Sequence, residues 1–390
     1  MPPETLTALV QRFDPRVLEL GRREARVRLE GSGVGSWDVV LHEGSAELRE
    51  ADGREPDAII TADGRTWHRL ANDLSGGMAA FRSGRLQVRR DLHLGVGFLA
   101  ATAAPDDDES RLRFVPVKTE AGEISTMQAG SGTPVVLLHG LGATKASFLP
   151  TVAALAPHHR AIAIDLPGFG DSDKPLRAPY HAKYFAGAVA ALLDALDIER
   201  ADVVGNSMGG RVAIEMGLRH PERVRRLALL APSLAWLRDR PWAPLLRLVP
   251  PQLGAIQPAP RALVESIVRR AIPGATDGWT AAGVDEFLRS YLTPNGRAAF
   301  YAAARNIYLE EPHGEKGFWT RLQQLETPSL FVWGRQDQVV PLRFARHVRE
   351  ALPAAHHLEL NCGHVPQLER PQVTHDAILR FLRDPVAAER

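Results

Sequence analysis

The second half of the chain alternates short apolar runs with amphipathic stretches. Apolar runs of four or five residues that end in a glycine or a polar turn are typical of strands buried on both faces. Six such runs occur, at residues 135–138, 161–165, 201–204, 227–231, 330–333 and 357–360. Between them, alanine and leucine recur at helical spacing, for example over residues 185–196. This alternation predicts an α/β protein whose parallel sheet carries helices on both faces.

The first hundred residues follow a different order. Alternating or half-alternating apolar positions predict strands at residues 25–30, 37–42, 46–50 and 58–61. Two helical stretches follow, at 64–74 and 78–83, and then a short strand at 86–89. Strands first and helices later are typical of an α+β domain. The charged stretch that follows predicts a linker, so we expect a small α+β domain over 1–104, an acidic linker over 105–112 and a larger domain over 113–390.

Composition narrows the classes of protein. A chain of 390 residues is long enough for two cores, and a net charge of +1 gives no field that would attract nucleic acid. The single cysteine, Cys362, excludes an intrachain disulfide and fits a reducing compartment. No signal-peptide pattern and no apolar run of about 18 residues is visible. We therefore expect a cytoplasmic protein without a transmembrane segment, and the oligomeric state stays open.

The segment Gly205-Asn206-Ser207-Met208-Gly209-Gly210 carries the first candidate chemistry. It lies between a predicted strand and a helical pattern, which is the context of a nucleophile elbow. Gly205 and Gly209 fall where strand and helix nearly touch, so neither position has room for a side chain. The helix N-terminus favours negative charge developing beside Ser207. Ser207 is the predicted nucleophile; the alternative is an ordinary glycine turn.

A candidate acid and a candidate base follow in the chain. Asp337 lies in a loop after the predicted strand 330–333, and His364 follows the strand 357–360. His364 would accept the serine proton, and Asp337 would fix the histidine tautomer. Taken alone, Asp337 could be a turn residue and His364 a surface histidine. Three such loops after three strands, in the order Ser, Asp, His, favour a catalytic triad.

From about residue 113 to its C-terminus the chain resembles the α/β-hydrolase-fold serine hydrolases. The matching segments are HGLG at His139, DLPGFGDSDKP at Asp165, GNSMGG at Gly205, WGRQDQVVP at Trp333 and CGHVPQLERP at Cys362. The resemblance implies the α/β-hydrolase fold, with a mostly parallel sheet and a helical lid, and no cofactor or metal. It also implies an oxyanion hole formed by the backbone N–H groups of Leu141 and Met208. His139 is expected to pack under its loop.

The N-terminal segment resembles the sterol-carrier-protein-2 lipid-binding family over about residues 3–104. The resemblance rests on the order of elements, on residues 56–61 and 83–88, and on a helix with Trp67 and Leu70. It implies an apolar ligand held between sheet and helices. Five apolar side chains are candidates for lining such a tunnel: Trp67, Leu70, Leu74, Phe81 and Phe98. The alternative is that they fill an ordinary core.

Residues 233–325 interrupt the predicted hydrolase sheet, at the position where the family carries a lid. Apolar residues around Trp236 and Trp242 are interspersed with prolines that break regular helices and with three arginines, Arg238, Arg240 and Arg247. A lid of this kind excludes water and shapes an apolar pocket. The alternative is that these tryptophans and arginines lie at a membrane surface.

A serine nucleophile implies acyl transfer to water. We therefore expect hydrolysis of an ester or thioester of an apolar, lipid-like substrate. The first domain is expected to bind a fatty-acyl or sterol-like ligand; the alternative is a dimerisation or docking platform. Asn206 also precedes the nucleophile in carbon–carbon bond hydrolases of aromatic ring-fission products. Those enzymes usually carry a tryptophan where this chain has Val365, and a longer glycine-proline loop where it has residues 141–144. A lipid carrier with an inactive hydrolase domain is a third reading, which the intact Ser207, Asp337 and His364 disfavour.

Overall fold

A computed structural model describes most of the chain. The described residues are 2–20, 23–72, 80, 83–103, 111–235, 248, 250, 253, 260, 262–263, 266 and 277–383, without the side chains of 277–280 and 308. Several predicted features lie outside them: most of the helix at 78–83, linker residues 105–110, the tunnel candidates Leu74 and Phe81, and the tryptophans and arginines of the first half of the lid.

The first domain is a five-stranded sheet with helices. Its strands are β1 (Glu24–Gly31), β2 (Gly35–His42), β3 (Ser45–Glu50), β4 (Ala58–Ala62) and β5 (Leu86–Arg89), in the order β3-β2-β1-β4-β5. Only the β1–β4 pair is parallel. The helices of its described part are α1 (Glu4–Val10), α2 (Gly64–Asn72) and α3 (Leu92–Ala101). All five predicted strands are confirmed, whereas α1 and α3 were not predicted.

The second domain is built on an eight-stranded sheet. Its strands are β6 (Arg113–Thr119), β7 (Gly122–Ala129), β8 (Pro134–Leu138), β9 (Arg160–Ile164), β10 (Ala201–Asn206), β11 (Val224–Leu230), β12 (Ser329–Gly334) and β13 (His356–Leu360). They lie in the order β13-β12-β11-β10-β8-β9-β7-β6, and β7 alone runs antiparallel to both neighbours. The sheet is therefore mostly parallel, as predicted.

Helices cover this sheet and form the described half of the lid. They are α4 (Leu149–Leu155), α5 (Ala182–Ala195), α6 (Met208–Arg219), α7 (Asp277–Tyr291), α8 (Pro294–Tyr308), α9 (Phe318–Leu322), α10 (Ala345–Ala351), α11 (Pro366–Glu369) and α12 (Pro371–Arg383). The second half of the predicted lid contains α7, α8 and α9. No helix formed by the described residues has the length and apolar character needed to cross a bilayer.

The two domains share one apolar core. Leu18 pairs with Phe114 in an isolated parallel bridge, and a single buried cluster extends from Trp67 and Phe98 to Phe114 and Leu149. Helix α3 is apolar on all sides because it lies between the small sheet and the second domain. The first domain is thus packed against the second, and is not a module on a free tether.

Three of the tunnel candidates lie inside this packed core. Trp67, Leu70 and Phe98 are each at most 1% exposed. The Trp67 indole N–H donates to the carbonyl of Glu30 at 3.0 Å, so its polar atom is also satisfied within the protein. For these three residues the ordinary-core interpretation describes the structure.

Candidate active site

The turn between β10 and α6 is a strained elbow that presents Ser207. Ser207 has φ 53° and ψ −114°, a conformation that is costly for a residue other than glycine. A Cβ atom at Gly205 would collide with the carbonyl of Gly209, and one at Gly209 with the carbonyl of Leu138. Both glycines are therefore required by backbone contact, as the sequence predicts.

Asp337 and His364 form a buried pair at the ends of β12 and β13. His364 Nδ1 lies 2.7 Å from Asp337 Oδ2. The other carboxylate oxygen, Oδ1, accepts the N–H groups of Val339 at 2.7 Å and Val340 at 2.8 Å. With Asp337 held by its own loop, the histidine ring is fixed through Nδ1. This leaves Nε2 as the nitrogen for proton transfer.

Asn206 connects the elbow to the loop of His364. Its side-chain amide donates to the carbonyl of Leu230 at 3.0 Å and to that of His364 at 3.1 Å. Among the described residues no hydrogen bond joins the Ser207 hydroxyl to the His364 ring; that hydroxyl lies 3.3 Å from the hydroxyl of Ser233. Catalytic hydrogen bonds often close only when substrate binds, so this arrangement is compatible with a triad.

Ser233 is a site residue that the sequence did not reveal. Ala231 has φ 43°, a left-handed conformation that turns the chain sharply after β11. The Ser233 N–H then donates to the Ser207 carbonyl at 2.8 Å, and its hydroxyl reaches the nucleophile. Nothing in the local pattern of residues 227–233 indicates this contact, because it depends on the backbone turn.

Glu369 holds the loop of His364 from the other side. One carboxylate oxygen accepts the N–H of Gly363 at 2.8 Å, and the other accepts the N–H of Val365 at 3.0 Å. Both neighbours of His364 are therefore bound to one side chain. Glu369 belongs to the CGHVPQLERP segment, but its role was not predicted.

The two segments that carry the candidate oxyanion donors meet at the nucleophile. Met208 is the first residue of α6, where backbone N–H groups have no partner within the helix. On the opposite side, a Cβ atom at Gly140 would lie 3.3 Å from Ser207 Cβ, so the loop that carries Leu141 packs against the elbow. A carbonyl oxygen between these N–H groups would meet the positive end of the α6 dipole.

His139 packs beneath this loop, as expected. Its Nε2 accepts the N–H of Leu166 at 3.0 Å, and its Nδ1 lies 2.7 Å from the carbonyl of Gly140. This places the ring proton on Nδ1. Full burial lowers the pKa of His139, so the ring is neutral and supports the loop.

Aromatic rings of the lid helices cover the same loop. Phe287 and Tyr291 of α7 stack at 4.9 Å, and Phe300 of α8 meets both edge-on. A Cβ atom at Gly142 would lie 2.6 Å from the ring of Phe287 and 3.1 Å from that of Phe300. Gly142 also has φ 75°, so glycine is required there for two reasons.

Cys362 is not a reactive thiol, and the described residues near the site form no metal cluster. Burial raises the pKa of Cys362 to about 12, so its thiol is protonated and unreactive at neutral pH. Within the described ranges, no group of three or more His, Cys, Asp or Glu side chains is arranged to hold a metal ion.

Comparison with known proteins agrees with this geometry. Residues 133–371 match the alpha/beta hydrolase fold family, and residues 6–99 match the SCP-2 sterol transfer family. The chain therefore belongs to the alpha/beta hydrolase fold family and carries an SCP2 domain at its N-terminal side.

Three similar proteins illustrate the range within this family. An uncharacterized protein of Mycobacterium tuberculosis is 33% identical over 276 residues, covering 67% of this chain and 78% of that protein. The 2-hydroxymuconate semialdehyde hydrolase of Pseudomonas sp. strain CF600 is 30% identical over 275 residues, with 67% and 90% covered. The crystal structure of a bacterial membrane phospholipase A aligns with a TM-score of 0.55 and 29% identity, over 70% of this chain and 86% of that chain.

Proposed function

We propose that the protein is a serine hydrolase that cleaves a carboxylic ester or thioester of an apolar, lipid-like substrate. The observation that carries the proposal is the strained elbow at Ser207 beside the buried Asp337–His364 pair, whose Oδ2 and Nδ1 atoms are 2.7 Å apart. A hydroxyl on such a turn, near a histidine whose tautomer is fixed, has the arrangement needed for nucleophilic catalysis.

The reaction begins when the Ser207 hydroxyl leaves the hydroxyl of Ser233 and donates a hydrogen bond to Nε2 of His364. His364 takes the hydroxyl proton as the serine oxygen adds to the carbonyl carbon, and Asp337 stabilises the resulting imidazolium. The backbone N–H groups of Leu141 and Met208 hold the negative oxygen of the tetrahedral intermediate. The intermediate collapses to acyl-Ser207, and the leaving alcohol or thiol carries away the proton of His364. Water then adds to the acyl carbon as His364 takes one of its protons. The bond between that carbon and Ser207 Oγ breaks, His364 returns the proton to Oγ, and the acid is released.

Three observations support an apolar acyl group. The rings of Phe287 and Phe300 lie against Gly142 in the loop of Leu141, and Tyr291 stacks on Phe287, so aromatic side chains pack beside the candidate site. The domain matching the sterol transfer family packs directly against the catalytic domain. One similar structure is that of a phospholipase.

The test is a substrate panel for the full-length protein. It combines nitrophenyl esters of rising acyl length with a ring-fission dienone, beside fluorophosphonate labelling of the wild type and of Ser207→Ala. The proposal predicts ester turnover that rises with acyl length and labelling that depends on Ser207. Turnover of the dienone alone would replace the proposal by carbon–carbon cleavage. Loss of all turnover, with no labelling, would favour the inactive-hydrolase reading.

Carbon–carbon bond hydrolysis is the second candidate. A specific observation favours it: the semialdehyde hydrolase of Pseudomonas is 30% identical over the catalytic domain. Two departures from that class count against it. Val365 stands where those enzymes usually carry tryptophan, and the loop at 141–144 is short.

Ligand binding by the SCP2 domain is a further part of the proposed function: we propose that this domain binds a fatty-acyl or sterol-like ligand. The support is its match to the sterol transfer family. Titration of the full-length protein with a fluorescent fatty-acid analogue tests it, after a long-chain fluorophosphonate has filled the candidate site at Ser207 so that this site cannot account for the binding. Saturable binding is expected, and its absence would leave the domain as a docking platform. The shared core makes the full chain preferable to a truncated protein for this measurement.

A further inference from the structure

The first domain binds the lid helix α7 at Asp285. Asp285 of α7 accepts hydrogen bonds from Arg89 Nε at 2.6 Å, from Arg89 Nη2 at 3.3 Å and from the backbone N–H of Arg90 at 3.0 Å. Arg90 has φ 72°, a left-handed conformation, at the point where it donates to Asp285. The Asp285 side chain is only 5% exposed, whereas the Arg89 side chain is 41% exposed, so these charge-assisted bonds are buried at α7 and open to solvent at Arg89.

A second contact lies at the start of helix α3. The N–H of Leu92 donates to Glu286 at 3.4 Å, and Arg289 lies 3.8 Å from Asp91, the residue that caps α3. A carboxylate at a helix N-terminus is favoured by the helix dipole. The N-terminus of α3 therefore contacts one acidic and one basic side chain of α7, Glu286 and Arg289.

Asp171 joins the lid helix to the catalytic loops. Arg289 binds its carboxylate through two bonds of 2.6 and 3.0 Å, and Lys145 Nζ donates to it at 3.2 Å. His93 of the first domain lies 3.0 Å away through Nδ1. Burial raises the pKa of Asp171, but Lys145, His93 and Arg289 outweigh it and hold this pKa well below its usual range. The carboxylate is thus charged, and it contacts two cations, Arg289 and Lys145, as well as the His93 ring of the first domain.

Lys145 lies in the same loop as Leu141, four positions further along the chain, so its ion pairs also hold that loop. Its backbone N–H donates to Asp165 Oδ1 at 2.7 Å, and its ammonium to Asp165 Oδ2 at 2.5 Å. The N–H of Asp171 donates to the same carboxylate at 2.9 Å. Lys145 and Asp165 are at most 1% exposed. A buried ion pair of this kind fixes geometry, because removal of one partner would leave an unpaired charge.

We infer that the first domain positions the catalytic site, a role separate from the binding of any ligand by that domain. Arg89, Asp285, Arg289 and Asp171 are positioning residues: they set the lid helix and, through Lys145, the loop that supplies the Leu141 N–H. The inference rests on the proposed role of Leu141. Oxyanion donors act only at the correct distance, so loosening this network lowers kcat for esters of every length. A domain that only carried lipid would affect long-chain esters alone.

A charge exchange at Arg89 and Asp285 tests the inference in the full-length protein. Both Arg89→Asp and Asp285→Arg are expected to lower kcat for a short, soluble nitrophenyl ester about tenfold, with a smaller change in KM. The rate of fluorophosphonate labelling of Ser207 should fall in parallel. The double variant should recover at least half of the loss on a logarithmic scale. Asp171→Asn provides an independent break in the same network.

Arg49→Asp is the matched control. Arg49 lies on β3 of the same domain, is about half exposed, and pairs with Glu47 of its own strand. It should behave as the wild type in every assay. The inference is overturned if folded Arg89→Asp, Asp285→Arg and Asp171→Asn keep wild-type kcat and labelling rate, or lose activity only on long-chain esters. Labelling needs no ester substrate, so failure of the wild type on the ester panel would count against the proposed function alone.

Discussion

Asp337 Oδ2 lies 2.7 Å from Nδ1 of His364, while its second oxygen accepts two N–H groups of its own loop. The loop therefore holds the carboxylate in place without any contribution from the histidine. The ring can then present only Nε2 to a proton donor. Asp337, the acid of the proposed triad, therefore has two roles: it holds its own loop through two N–H groups and it orients His364.

Asp337→Asn should leave the fold intact and lower turnover by roughly four powers of ten. The Asn carbonyl can still accept from Val339 and Val340, but the amide no longer enforces the histidine tautomer. Ester kinetics and the melting temperature check both parts. Nearly unchanged activity would mean that another carboxylate serves His364; the nearest one after β11, Asp239, lies outside the described residues.

Glu369→Gln should lower kcat about ten- to a hundredfold, because a misplaced catalytic group costs rate even when no contact to substrate is lost. A neutral amide can accept only one of the two N–H groups beside His364 and turns a donor toward the other. Glu350→Gln, at an exposed carboxylate on α10, is the control. Equal kcat for the two variants would show that Glu369 does not position His364.

Two glycine substitutions should have opposite effects on the free energy of unfolding. Gly209→Ala places a methyl group well inside 3.0 Å of the Leu138 carbonyl, and should destabilise by about 3 kcal/mol or more. Gly187 of α5 has open space around it, so Gly187→Ala should stabilise by about 0.5–1 kcal/mol. Urea unfolding measures both. A tolerated Gly209→Ala would contradict the backbone contact at the elbow.

Asp202 at the start of β10 should make stability depend on pH. Burial raises its pKa to about 6 against opposing arginines, and neither carboxylate oxygen has a hydrogen-bond partner among the described residues. The unfolded-state pKa is about 3.9, so the folded state binds more protons between pH 4 and 6. The free energy of unfolding must then fall as pH rises through this window, by about 3 kcal/mol at most.

Asp202→Asn should remove this dependence. The unfolding free energy of the wild type, minus that of Asp202→Asn, should decrease between pH 4 and pH 7 and then level off. Asp376→Asn, which alters an exposed carboxylate of α12, controls for the general titration of the surface. Parallel pH curves for wild type and Asp202→Asn would refute the assignment.

Much of the catalytic domain could be predicted because its central strands are buried on both faces. Such strands are nearly continuous apolar runs, and five of the six predicted runs form the buried strands β8 to β12. The sixth forms the edge strand β13, which is only partly buried. The hairpin of β6 and β7 was missed, since the segment 122–129 mixes polar and apolar residues without a clear period. Helix α3 was missed for the opposite reason: it is apolar all round and contains two glycines, so it has no amphipathic pattern.

The three candidate triad residues can be selected from the sequence because each follows its own strand in a local motif. The residues that hold them could not. Asn206 binds a carbonyl 158 positions away, and Arg89 binds Asp285 across 196 positions. Such contacts depend on how the sheet order and the domain packing bring distant loops together. A sequence pattern of period two or 3.6 carries no information about them.

The central claim is an acyl-enzyme on Ser207, and mass spectrometry of the quenched enzyme tests it most directly. The full-length protein is mixed with a medium-chain nitrophenyl ester, quenched in acid within the first turnovers and digested. We expect the acyl mass on the peptide that contains Ser207, together with a burst of nitrophenol, and neither in Ser207→Ala. Ester turnover by Ser207→Ala at the wild-type rate, or steady turnover of the wild type with the acyl mass on another residue, would contradict it.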